Sequence, residues 1–157
     1  GTNGVQAMDL LGRKVVRNGG ETVHTFIKKV QETIDQLDTN DPSQLSISIH
    51  LKNSLDALHS AVAWMIKTFP KQPGQAAAGA TSFLEMMGLI SGGWMLARGV
   101  IEADMQLKNK QGDKNFLNSK ITTAQYFSQA FLSRAPSLLY PITDCGDCVM
   151  EFEASNF

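Results

Sequence analysis

The chain has 157 residues, 43 % hydrophobic and 18 % charged, with 14 basic against 15 acidic side chains and a formal charge of −1. That balance excludes a disordered polyelectrolyte and a basic nucleic-acid or anionic-membrane binder, leaving a globular domain. No run reaches the ~20 apolar residues of a membrane span, no secretory signal is visible at the start, and the two cysteines cannot build a disulfide framework, so a cytoplasmic protein is expected.

Period-3.6 patterning dominates and no alternating strand stands out. A first helix is expected from about Asn3 to Arg17, with Val5, Met8, Leu11 and Val15 on one face, broken by Asn18-Gly19-Gly20 as a left-handed C-cap and turn. A second helix starts near Glu21; Val23, Phe26, Ile27, Val30, Ile34 and Leu37 form its amphipathic stripe. Asp41 as N-cap with Pro42 at the first helical position opens a third helix. Leu51, Leu55, Leu58, Val62, Met65, Ile66 and Phe69 lie on its inner face, and Pro70 and Pro73 close it. The alternation Ser46-Ile47-Ser48-Ile49 resembles a short strand but sits inside this helical pattern.

The longest helix is expected over about Gly74 to Lys110, roughly 50 Å at 1.5 Å per residue. Its middle carries Gly88, Gly92 and Gly93, each costing about 1 kcal/mol against alanine, so a compensating close approach of a neighbouring helix or ligand is expected. After the Gln111-Gly112-Asp113 turn, a fifth helix should bury Phe116, Leu117, Ile121, Ala124, Phe127 and Phe131. Pro136 and Pro141 end regular structure, and the tail to Phe157 has no clear pattern. The fold class is therefore all-α: an antiparallel four-helix, up-and-down bundle preceded by a short helix, since short connections favour antiparallel neighbours.

The residues alone offer no active site. Cys145-Gly146-Asp147-Cys148 has redox spacing, but no strand precedes it and no second ligand pair completes a zinc site. An incidental reduced pair is expected; a thiol-redox or metal role is the rival. His24 falls on a solvated face and His59 on a partly buried one, with no nucleophile in motif context beside either. Glu102 and Asp104, two apart, lie on different helix faces and form no carboxylate pair. Trp64 and Trp94 read as bundle core.

The opening Gly1-Thr2-Asn3-Gly4-Val5-Gln6 and the Gly12-Arg13-Lys14 step resemble a segment near the C-terminus of acyl-CoA dehydrogenases, in particular the longer bacterial members with an extra helical domain. Ala76 to Ala80, Phe83 to Gly88, Gly92 to Arg98 and Lys120 to Phe127 are similar to that extra domain. The resemblance covers about Gly1 to Ala135. It implies residues 1–18 as the last helical segment of the catalytic region, 19–135 as the C-terminal bundle and 136–157 as an irregular tail. The catalytic base would be a glutamate immediately before Gly1, so the chain alone would carry no catalytic residue, no metal and no activity.

Carried over by position, Gly1 would border the acyl-CoA thioester, and Thr2, Asn3 and Gly4 would line the dinucleotide side of FAD, Asn3 and Gly4 through backbone alone. A capping Thr2 at a helix start suits a pyrophosphate; the simpler role is that Thr2 only caps its helix. The implied parent is a flavoprotein of fatty acid metabolism with an electron-transferring flavoprotein as electron acceptor, assembled as a homo-oligomer. The alternative is a free-standing helical bundle that serves interaction or oligomerisation.

Overall fold

The computed structural model describes residues 1–152 and Ser155. Among them every regular element is helical and no strand occurs. Helix α1 (Thr2–Asp9) runs directly into a π-helical stretch, Leu10–Val16, so the expected first helix is a single rod with a widened second half. An exposed Asp9–Arg13 ion pair at 2.9 Å bridges the change of helix type. The rod ends where Gly19 and Gly20 take φ of 62° and 85°, and Gly20 N–H donates to Val15 O at 2.8 Å. A side chain at Gly20 would also meet Ile66 Cδ1 at 2.6 Å, so both backbone sign and space require glycine.

Helix α2 (Glu21–Ile34) buries Val23, Ile27, Val30 and Ile34, as its stripe predicts. Helix α3 (Pro42–Thr68) starts as expected: the Asp41 carboxylate accepts from Ser43 N at 2.8 Å and Gln44 N at 3.0 Å. The buried Gln44 amide oxygen accepts from Asp38 N at 3.0 Å, which ties off the α2–α3 turn. Ile47 is buried and Ile49 exposed on the same helix, so their alternation marks one turn of α3 and not a strand.

The expected single fourth helix is two: α4 (Pro73–Ala78), opened by Pro73, and α5 (Ala80–Lys108). They part at Gly79, where an added Cβ would lie 2.7 Å from the carbonyl oxygen of Ile142. Backbone packing against backbone, not glycine's low propensity alone, sets the break. Helix α6 (Lys114–Ala130) is capped by Asp113, which accepts from Phe116 N at 2.9 Å. Leu117 and Ala124 are buried and Ile121 and Phe127 half-buried, as expected. Phe116 and Phe131 are instead 61 % and 40 % exposed: α6 turns only part of its apolar arc inward.

The segment after α6 is more ordered than its sequence suggests. A 3-10 stretch, Leu132–Leu138, leads to α7 (Leu139–Thr143) and α8 (Gly146–Met150). Leu132, Ala135 and Ile142 are fully buried against the long helices. Residues 153, 154, 156 and 157 of the expected tail lie outside the described set. The 3-10 stretch packs on α3, α5 and α6, so it lies on the core and is not a loose end. Leu51, Leu58 and Met65 of α3 with Phe83, Met86 and Ile90 of α5 are the largest side chains at the centre, all essentially buried. At about 1.5–3 kcal/mol for each buried side chain of this kind, these residues of α3 and α5 contribute heavily to the stability of the core.

Candidate functional site

The residues named for binding sit together at one exposed tip. Gly1 occupies the N-cap of α1 without a side-chain capping bond, and Thr2, Asn3 and Gly4 form the first turn, all solvent-exposed. Thr2 is therefore the first helical residue and not the cap. No acidic side chain lies in that turn. The first turn presents the free N–H groups and positive dipole end of a helix, which suits an oxyanion. The tip is held from behind: Ala7, Leu11 and Val15 are fully buried and α1 packs along α5. Val5, 70 % exposed, and Met8, 44 % exposed, face outward beside the tip.

The α5 glycines divide by environment. A Cβ on Gly92 would meet Phe127 Cζ at 3.0 Å, and one on Gly93 would meet Leu132 Cδ2 at 2.8 Å. These two admit the α6 end and the 3-10 stretch, as expected. Gly88, in contrast, is exposed with nothing within 4 Å, so the expected close approach fails there. Beside this seam, Met95, Leu96, Gly99, Phe116, Ser119, Lys120 and Thr123 line a shallow groove of about 330 Å³ between α5 and α6. The Lys120 ammonium lies 5.2 Å from the centre of the Phe116 ring.

The other candidates gather no catalytic set. His24 and His59 stand 5.6 Å apart, ring centre to ring centre, across the α2–α3 surface. Both are exposed, which corrects the partly buried placement expected for His59. Cys145 is half-buried and Cys148 exposed, both as free thiols. No group of three potential ligands from His, Cys, Asp and Glu forms a metal site among the described residues. Trp94 is half-buried core, as expected, with its ring edge-on to Phe26 at 5.5 Å and the Arg98 guanidinium 5.6 Å from its centre. Asp41 and Lys108 feel each other across the α3 start and the α5 end. The Asp41 carboxyl is held below its usual value, first by the Ser43 hydroxyl and then by the Gln44 N–H. Lys108 is raised by its bond to Asp104 at 2.7 Å. This charge cluster sits at two helix ends. Sequence reasoning missed the α5–α6 groove because Phe116, at helical spacing, carries the same signal whether it packs inward or overhangs.

A family model described as acetyl-CoA dehydrogenase C-terminal like matches residues 26–153. Over 150 residues, 96 % of this chain, the sequence is 34 % identical to a 3-methylmercaptopropionyl-CoA dehydrogenase of Ruegeria pomeroyi, covering 25 % of that protein. It is 24 % identical, over an alignment of 164 positions that covers the whole chain, to a broad-specificity linear acyl-CoA dehydrogenase of Mycobacterium tuberculosis, covering 27 % of it. The chain thus spans about a quarter of the length of these relatives. No helix among the described residues is long and apolar enough to cross a membrane.

Proposed function

This chain belongs to the acetyl-CoA dehydrogenase C-terminal-like family, and from that membership we propose that it is the C-terminal part of a flavoenzyme that α,β-dehydrogenates acyl-CoA thioesters. The observation that carries the reading is the match to that family over residues 26–153 and to two acyl-CoA dehydrogenases over 96 % of the chain or more, and the first-turn N–H donors of α1, Thr2 to Gly4, stand on a helix that packs on α5. These donors fit the pyrophosphate of FAD, so Thr2, Asn3 and Gly4 would hold its dinucleotide side by backbone N–H groups, with Thr2 adding a hydroxyl. When bound, the flavin supplies the acceptor for a hydride from the substrate β-carbon. Gly1 borders the thioester, where the lack of a side chain leaves room for the acyl group, and the carboxylate that takes the α-proton belongs to a glutamate immediately before it. By itself the chain is inactive.

Residues 1–18 then finish the catalytic region, 19–135 form the appended bundle, read as four helices in up-and-down order on the strength of their short connections, and 136–157 are the tail, of which residues 136–150 carry short helical turns. The bundle covers the flavin-binding part or builds a homo-oligomer, and electrons leave to an electron-transferring flavoprotein in the cytoplasm. The exposed groove at Met95 and Phe116 favours, as a second reading, an interaction module whose principal task is assembly.

A protein extended upstream to its natural start tests both. It should be yellow and oxidise either a sulfur-bearing short acyl-CoA or linear acyl-CoA thioesters. Changing the glutamate before Gly1 to glutamine should keep the flavin while cutting turnover by several orders of magnitude, because an amide accepts no proton. A colourless extended protein, or full activity in the glutamine variant, refutes the enzyme reading and leaves the interaction module.

A further inference from the structure

We propose that Cys145 and Cys148 form a reversible disulfide within one chain, exchanged with a small thiol–disulfide couple of the glutathione class, and that this bond fastens α8 onto α4. The sequence shows the spacing without a setting, and the structure supplies one. Cys145 is the N-cap of α8, and Cys148 is the third helical residue. N-cap and third-position side chains face each other across the first turn, the same pair of positions that exchange bonds in a capping box. Side chains three apart on a helix have Cβ atoms about 5–6 Å apart, and a disulfide needs roughly 3.5–4.5 Å, so closure asks for about 1 Å of movement. Cys145, at φ −92° and ψ −5°, sits at the helix boundary, where its own torsions can supply that movement without breaking an interior turn.

What the bond would secure is also visible. Gly146, between the two cysteines, is buried so closely on α4 that a Cβ would lie 2.8 Å from the Gln75 carbonyl oxygen. Asp147 accepts a hydrogen bond from the Gln75 side chain. Met150 Sδ stands 2.7 Å from where a Gly74 Cβ would be. The first turn of α8 is therefore both the segment the disulfide closes and the segment that holds α4. In the reduced state that turn is kept by these contacts together with its packing on α7.

The chemistry balances as two exchanges. The exposed Cys148, as thiolate, attacks one sulfur of the oxidised couple, forming a mixed disulfide and releasing one small thiolate. The half-buried Cys145, as thiolate, then attacks Cys148 Sγ and expels the second. The two protein thiols are oxidised, the small disulfide is reduced to two thiols, and the two protein protons end on them.

The test equilibrates the reduced chain with graded ratios of oxidised to reduced glutathione, alkylates the remaining thiols, and reads mass and backbone amide exchange. At the oxidising end we expect a monomer lighter by two hydrogens, unalkylated at both positions and restored by reduced glutathione. Amides of residues 74–78 should exchange several-fold more slowly in it. Cys145→Ser should stop at one glutathionyl adduct on Cys148, with exchange at 74–78 unchanged. Two alkylated thiols at the oxidising end, or disulfides only between chains, would overturn the proposal. An intrachain disulfide that leaves exchange at 74–78 unaltered would overturn the fastening of α4.

Discussion

The indole N–H of Trp94 on α5 donates to the hydroxyl oxygen of Thr33 on α2 at 2.8 Å, and the same hydroxyl donates to Lys29 O at 3.2 Å. Thr33 is buried, so one side chain satisfies both itself and a half-buried indole while fixing the register of α2 against α5. Thr33→Val keeps the shape and removes both bonds. The indole is then left without its acceptor, a loss of about 1–3 kcal/mol. Chemical denaturation should show this as a lower midpoint at unchanged slope; an unchanged midpoint would mean that water replaces the threonine at no cost.

The glycines of α5 should respond in opposite directions. At Gly93 a methyl group meets Leu132 at 2.8 Å in a fully packed seam, so Gly93→Ala costs roughly 1–3 kcal/mol by overpacking. Gly92→Leu, against the Phe127 ring, should lower the melting temperature by the same mechanism. Gly88 has open space around it, so Gly88→Ala adds only helix propensity and should stabilise by about 0.5–1 kcal/mol. Thermal melts of the three variants check the pair of signs, and destabilisation at Gly88 would contradict the open environment.

Ser128 on α6 is 1 % exposed, and its hydroxyl has no hydrogen-bond partner. A buried unsatisfied hydroxyl is a penalty that Ser128→Ala removes while leaving almost no cavity, so the variant should be more stable by about 1 kcal/mol or more. A lower melting temperature would reveal that the hydroxyl is satisfied in solution.

Asp41 caps α3, and its carboxyl is held below the ordinary value by the Ser43 hydroxyl and the Gln44 N–H. A depressed folded-state pKa means that the cap contributes its full stability above the unfolded-state value, near pH 4. The contribution fades as pH falls through the lower folded-state value, when the protonated group loses its strength as an acceptor. Asp41→Asn keeps a capping oxygen without the titration. The stability gap between the native chain and this variant should be constant at neutral pH and shrink below about pH 4. A gap that is flat down to pH 2, measured by denaturation midpoints, would remove the carboxylate from this role.

How much was legible beforehand follows from where each signal resides. The helix starts at Asp41 and Asp113, the left-handed stop at Gly19 and Gly20, and the buried stripe of α2 are set by a few neighbouring residues, so they can be read from order alone. The exposed tip formed by Gly1 to Gly4 was legible only through resemblance, because glycine and threonine at a helix start carry no chemistry that is theirs alone. The α5–α6 groove was not legible, since periodicity reports which residues share a face and not how far a neighbouring helix extends over it.

By itself, then, the sequence determined the helical class, the caps and the pairs of residues that share a helix face, because these depend on contacts within four positions along the chain. Tertiary structure alone decided three things that involve residues distant in sequence. It broke the longest helix at Gly79, where Ile142 backbone approaches from more than 60 positions away. It turned Phe116 outward and buried Leu132 and Ile142 from a segment without pattern. It also seated Gly146 on Gln75, which gives the cysteine pair a structural setting that its spacing cannot supply. In each case close packing selects which apolar or small residue is covered, and packing is a property of the assembled core and not of any local stretch.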